Sequence, residues 1–369
     1  MAATREAKES RISRSTSFAL RLPKGPIHVT APKPTAAAGP TEGKHRFAML
    51  DGWRALSILL VLAGHLLPVG PQVWLLNAPV AAMGMAIFFT LSGFLITRFL
   101  SEPGADVRVF IIRRFFRIIP LAWLAMAIAL PLAAASTEEW IANFLFYANL
   151  PPFRLVYTGS HLWSLCVEMQ FYVGVAALVT IFGRRGLYAL PFLCLAVTGL
   201  RIAADTYISI VTWLRIDEIL AGATLALAYR GWFGPWPMRI LGRISPYILL
   251  PILLAACVNA TGPLNYARPY IAAAMVGASL VNAPPLLARL FESRWAGYVA
   301  TVSYALYIIH GVLRMTWLGD GHGLEKYLKR PLLFAATFAL AHVSTFWFEQ
   351  PCIAFAKRIT SRIKVRVPA

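Results

Sequence analysis

The chain alternates between long apolar stretches and short polar joints. Stretches long enough to cross a bilayer as helices lie near 50–68, 75–98, 115–134, 161–182, 187–203, 213–230, 238–258, 268–288, 298–316 and 331–354. They predict an all-α, polytopic integral membrane protein with about ten transmembrane helices. Between the third and fourth, "STEEWIANFLFYANL" predicts an amphipathic helix lying in the membrane interface. Residues 1–45 are rich in Arg, Lys, Ser, Ala and Pro without periodicity, and predict a disordered basic tail. A membrane domain then covers 46–356, and 357–369 form a short basic tail.

With 58% hydrophobic and only 14% charged residues in 369, the chain is too apolar for a soluble domain of its length. The net charge of +19 does not point to nucleic acid, because no folded basic domain remains once the spans are removed. It fits positive-inside loops near anionic lipid. Arg108, Arg113, Arg114, Arg117, Arg184, Arg185, Arg230, Arg239, Arg243, Arg289 and Arg294 fall on one side if both termini do. The opposite loops hold only Arg154, Arg268, Lys326, Lys329 and Arg330. Both termini are therefore expected in the cytosol, in the inner (plasma) membrane. The cysteines Cys166, Cys194, Cys257 and Cys352 are scattered and indicate neither a disulfide framework nor a zinc site; no metal is expected. No secretory signal segment precedes Leu50, and no internal repeat is visible.

The first span, "LDGWRALSILLVLAGHLL", carries Asp51, Arg54 and His65. Arg54 and His65 are eleven residues apart, about three full turns, so they share one face about 16 Å apart along the axis. A polar stripe crosses much of the bilayer, and Asp51 is spaced to pair with Arg54. Snorkelling of Arg54 and interfacial capping by His65 are the bland alternatives.

"HLWSLCVEMQFY" places His161, Ser164 and Glu168 near one face of the fourth span. Glu168 falls about 10 Å deeper than His161, near the depth inferred for His65. A carboxylate and an imidazole at one depth would make an acid–base pair, with Glu168 orienting His65. A structural contact between helices is the alternative. "FIIRRFFRIIP" puts Arg113, Arg114 and Arg117 at the inner end of the third span, where guanidinium forks suit phosphate oxygens or simply anchor the helix. Ser92-Gly93 near the same boundary permits close helix packing or approach of a ligand. Arg215 and Asp217 are spaced to pair through the entry turn of "LRIDEILAGATLA", while His310 in "VSYALYIIHGV" and Glu349 in "FWFEQPC" are further intramembrane polar groups. For these, structural roles outweigh catalysis.

Taken together, these stretches from about Phe47 to Lys357 resemble acyltransferase family 3, integral-membrane proteins that O-acylate bacterial surface carbohydrates. The family's Arg-x10-His pattern matches Arg54 and His65, its Arg-x-x-Arg pattern Arg114 and Arg117, and its Trp-Ser-Leu-x-x-Glu pattern Trp163, Ser164, Leu165 and Glu168. Many members carry a second glutamate after the last of these; here it is Met169, so any role for that carboxylate is lost. Some members add an extracytoplasmic hydrolase-like domain, and this chain is expected to act without one.

The resemblance implies an acyl-coenzyme A donor, acetyl above all, with no permanently bound cofactor. The acceptor is a hydroxyl of an exopolysaccharide, lipopolysaccharide or related glycan precursor. Membrane lipids and polysaccharide-assembly proteins are the implied surroundings. On this reading His65 is the general base with Glu168 behind it, Arg114, Arg117 and Arg113 hold donor phosphates, and Arg54 neutralises donor charge. Two alternatives stand beside it: a transporter or flippase for an anionic or carbohydrate-linked solute, and a non-catalytic scaffold.

Overall fold

Proline and glycine punctuate the apolar runs; some of them end helices, while others, such as Pro120, Pro251, Pro269 and Pro331, lie inside them. A computed structural model describes residues 40–321 and 323–363 of the chain, in which all regular structure is helical. The first of its two contact units, Met1–Thr41, lies almost wholly outside the described residues, and with it most of the expected N-terminal tail. Residues 364–369 of the C-terminal tail lie outside them too.

In the larger unit, α1 (Pro40–Leu66) starts ten residues before its apolar stretch and ends just ahead of Pro68. It is followed by α2 (Asn77–Leu100) and α3 (Val107–Leu132). Asp106 caps α3, accepting from the backbone N–H of Arg108 at 2.7 Å and of Val109 at 3.4 Å. The Arg108 guanidinium donating to the Asp106 carboxyl holds it below the usual carboxylate range. The predicted amphipathic segment forms α4 (Thr137–Phe144), started by a reciprocal capping box between Ser136 and Glu139. Then come α5 (Trp163–Phe182), α6 (Ala189–Ala203), α7 (Asp217–Tyr229), α8 (Trp236–Leu241), α9 (Pro246–Ala255) and α10 (Leu264–Val281). The last four are α11 (Pro285–Phe291), α12 (Arg294–Arg314), α13 (Gly323–Val343) and α14 (Gln350–Ser361). A π-helical turn, Ser344–Glu349, joins α13 to α14.

Each of the ten apolar stretches contains a helix, but fewer are long enough to span alone. Six stretches among the described residues are long and apolar enough to cross a membrane, and seven if α10 and α11, bent by 96°, count as one. The shortfall has local causes. Gly231, Gly234 and Pro235 end α7 after 13 residues, and Pro246 delays α9, which has 10. By helical rise these cover about 20 and 15 Å, against a hydrocarbon core of about 30 Å. Helices α5 and α6 run on through a 3-10 link, Gly183–Tyr188, as one apolar stretch.

Backbone-to-backbone approach sets the core. A Cβ on Gly93 of α2 would lie 1.8 Å from the Ile219 carbonyl oxygen of α7, and one on Gly222 of α7 would lie 1.9 Å from that of Thr90. Only glycine permits this crossing, and hydrocarbon favours it because helices there associate through close packing. The first helix is fixed on the other side by Trp53, 1% exposed, whose Nε1 donates to Ser279 Oγ of α10 at 2.8 Å. The Phe291 ring of α11 meets that indole edge-on.

Gly222→Val should therefore destabilise the bundle by at least about 1–3 kcal/mol through overpacking. Gly174→Ala, where a Cβ meets nothing within 4 Å, should not. Thermal unfolding of the detergent-solubilised variants checks this; equal midpoints for both would contradict the packing described.

Candidate functional site

The polar stripe of α1 runs from Asp51, whose side chain is 43% exposed, inward to Arg54 and His65. At one end Arg54 Nη1 donates to Asp51 Oδ1 at 3.1 Å, the pairing expected from their spacing. Arg54 enters a cavity of about 460 Å³ that is also lined by Arg98, Arg113, Arg114, Arg117 and Lys357, with Glu102 as its one carboxylate. The arginines of α3 are held in place by neighbours. Arg113 Nε donates to Thr360 Oγ1 of α14 at 3.0 Å, and the Arg114 guanidinium lies over the Tyr172 ring at 5.7 Å. Six cations around one opening, with one acid among them, make an anion-attracting mouth.

The mouth narrows inward. A neck of about 50 Å³ is lined by Arg54, Ser92, Arg114, Arg117, Glu168, Tyr172, Ser303 and Tyr304, among others. A last gap of about 10 Å³ continues along Arg54, Ser57, Val61, Phe88 and Tyr307. Glu168 is 4% exposed and accepts from Ser92 Oγ at 2.5 Å and from the Tyr172 hydroxyl one turn further along α5. Glu349, in the π-helical turn, accepts from Thr345 Oγ1 at 3.0 Å.

His65 meets a different partner from the one its depth suggested. Its Nδ1 lies 3.0 Å from His310 Nε2, and the two rings meet edge to edge, 14° from parallel with centroids 5.2 Å apart. His161 packs edge-on against the same His310 ring, again at 5.2 Å. A single ring touching both puts His65 at the level of His161, whereas Glu168 is seven residues further along α5, about 10 Å away by helical rise. The expected His65–Glu168 pairing is thus not formed. Ser164 Oγ donates to the Tyr307 hydroxyl at 2.6 Å, and that hydroxyl donates to the His161 carbonyl. At Gly311, any Cβ would lie 2.1 Å from His161 Cε1.

The expected Arg215–Asp217 pairing is not formed either. Asp217 binds Arg201, while Arg215 turns to Glu218 at 3.3 Å. Arg268 Nε donates to the other oxygen of Glu218 at 2.6 Å. All five groups are at most 2% exposed. The Arg215 guanidinium also covers the Trp163 ring at 5.3 Å. Arg201 and Arg268 were missed as part of this site; Arg268 is no loop residue but sits inside α10. Among the described residues, no group of three or more His, Cys, Asp or Glu side chains is arranged to hold a metal ion.

A family model described as "Acyltransferase domain" matches residues 47–349. The chain belongs to acyltransferase family 3. The peptidoglycan O-acetyltransferase OatA of Listeria monocytogenes is 25% identical over 356 residues, covering 82% of this chain and 55% of that protein. The chain thus spans about half the length of that relative. Nodulation protein 10 of Rhizobium leguminosarum bv. viciae is 22% identical over 362 residues, covering 86% of this chain and 96% of that protein. No solved structure matches the chain.

In this acyltransferase family 3 member, multi-pass in the membrane, the three motif patterns fall along one inward path. Arg114, Arg117, Arg54 and Glu168 line its neck, and Ser164 reaches its narrow end through Tyr307. His65 stands beyond, in the histidine cluster. Trp163 instead braces the path from behind, under Arg215.

The ion knot should be structurally critical. Glu218→Gln leaves Arg215 and Arg268 without their carboxylate in the protein interior, where breaking a buried pair costs about 3–5 kcal/mol. Thermal unfolding in detergent measures it; a midpoint as small in shift as that of a surface substitution would contradict the knot.

Proposed function

We propose that this chain is an integral-membrane O-acyltransferase that moves an acyl group, acetyl by preference, from acyl-coenzyme A to a carbohydrate hydroxyl. The observation that carries the reading is that Arg54 lines the arginine-rich mouth, the neck and the last gap alike, and that this gap ends at Val61 and Tyr307, one turn of α1 and of α12 short of His65 and His310. A coenzyme A donor is a polyanion with a long, thin arm ending in a thioester. Arg114, Arg117 and Arg113 suit its phosphates as forked donors. Arg54 to His65 is about 16 Å along α1, a distance that a long, thin arm can bridge.

At the far end His65 takes the proton of the acceptor hydroxyl as general base. The oxygen attacks the thioester carbonyl, the tetrahedral intermediate collapses, and the coenzyme A thiolate leaves with the proton returned by the imidazolium. Glu168, held by Ser92 and Tyr172 among Arg54, Arg114 and Arg117, balances guanidinium charge in the neck rather than orienting His65. The relative named as a peptidoglycan O-acetyltransferase supports a glycan acceptor. The basic mouth suggests the orientation: on this reading it faces the cytosol with both termini, the chain crosses the inner (plasma) membrane, and the donor arrives from the cytosolic side.

Transfer of labelled acetyl from acetyl-coenzyme A to a surface-glycan pool in proteoliposomes tests this. His65→Ala, folded and inserted, should lose roughly 10²–10⁴ in rate. Arg117→Ala should raise KM for acetyl-coenzyme A more than it lowers kcat. Undiminished transfer by His65→Ala would remove His65 from the chemistry, and an unchanged KM in Arg117→Ala would remove the phosphate reading.

A further inference from the structure

The histidine cluster contains enough hydrogen-bond geometry to fix where its protons sit. His310 Nδ1 lies 2.6 Å from the carbonyl oxygen of Tyr307 and 3.2 Å from that of Leu306, both in its own helix. Carbonyl oxygens only accept, so Nδ1 of His310 carries a proton. His310 is 1% exposed, and a second ring proton would leave a bare charge in the bilayer interior. Nε2 of the neutral ring is therefore a lone pair. The 3.0 Å contact with His65 Nδ1 needs one hydrogen between two nitrogens, and only His65 can supply it. That places the proton of neutral His65 on Nδ1 and its lone pair on Nε2.

We infer that His310 is the positioning residue of His65: its Nε2 accepts from His65 Nδ1–H, fixing the tautomer and ring plane that leave His65 Nε2 free to take a proton. The inference rests on the reading of His65 as general base. The supporting shell agrees with it. The ring of His310 lies 14° from parallel with His65, as a hydrogen bond in the ring plane requires, and is clamped by the edge of His161 and by the ring of Tyr307 at 5.6 Å. His161 is itself held by Nε2–H donating to the Ile308 carbonyl at 3.2 Å, which keeps its ring from competing for His310 Nε2. Helix α12 thus offers one carbonyl-anchored imidazole in the role that a carboxylate fills in many acid–base pairs. A neutral orienter suits this depth, because a carboxylate would have to be carried there as a charge.

His310→Leu and His310→Gln separate positioning from packing. Leucine fills space without accepting; the glutamine amide can donate to the helix carbonyls while its oxygen accepts from His65. Full-length protein labelled with 15N-histidine in nanodiscs reports the His65 tautomer directly, with the His65 signals identified by their loss in His65→Ala. Wild type and His310→Gln should show the proton on His65 Nδ1; His310→Leu should show a mixture or the Nε2 proton. In acetyl transfer, His310→Leu should lower kcat by roughly 10²-fold, at the low end of what a positioned base contributes. Its KM for acetyl-coenzyme A should stay within about twofold of wild type, and His310→Gln should recover most of the loss. A wild-type His65 protonated on Nε2, a His310→Leu variant with wild-type kcat, or a His310→Gln variant no better than His310→Leu would each overturn the inference. Failure of the base reading looks different: His65→Ala then transfers as well as wild type, whatever the spectrum says about His310.

Discussion

Hydrocarbon offers no hydrogen-bond partner to a guanidinium, an imidazole or a carboxylate, so the polar side chains of the first helix must be received by other protein groups. The bundle is arranged around that demand. Arg54 is met by Asp51 and by the neck that Glu168 shares, and His65 by His310. A second knot, Arg201–Asp217 and Arg215–Glu218–Arg268, ties α6, α7 and α10 together behind the path. It meets the motif residues through the guanidinium of Arg215 over Trp163, at the start of the helix that carries Ser164 and Glu168.

Close approach makes these meetings geometrically available. Gly93 and Gly222 let α2 and α7 cross backbone to backbone, and Ser92, next to Gly93 on α2, donates to Glu168 of α5. Gly311 does the same for His161 against α12. Small residues and buried charges are thus two halves of one device: the first set the distance at which the second can be satisfied.

Features that depend on one helix alone were legible from the residues. The inward face shared by Arg54 and His65, the Asp51–Arg54 pair, the amphipathic segment that became α4 and the clustering of the α3 arginines all follow from spacing along a single helix. Features that depend on how two helices are levelled against each other were not. Glu168 was placed opposite His65 by counting from His161, yet His161 itself sits at that level. Arg215 was given to Asp217 by proximity in sequence, while the partners that complete the knot, Arg201 and Arg268, come from helices whose depth no local pattern fixes. The family resemblance supplied the motif residues; it did not supply His310 as the partner of His65. Glycines and prolines are visible in the sequence, but whether each ends a helix or is carried inside it depends on the packing around it, and several expected full spans are short or bent helices instead.

The central claim is that the arginine mouth and the histidine cluster are two ends of one donor site. Photo-crosslinking tests it most directly, using an acyl-coenzyme A analogue with a diazirine in its acyl group and mapping the attachment points on the purified protein. The account predicts attachment at the inner end of the path, around Val61, Phe88 and Tyr307, abolished by excess coenzyme A. Attachment confined to the lipid-facing surface, or label at those residues that coenzyme A does not displace, would contradict it.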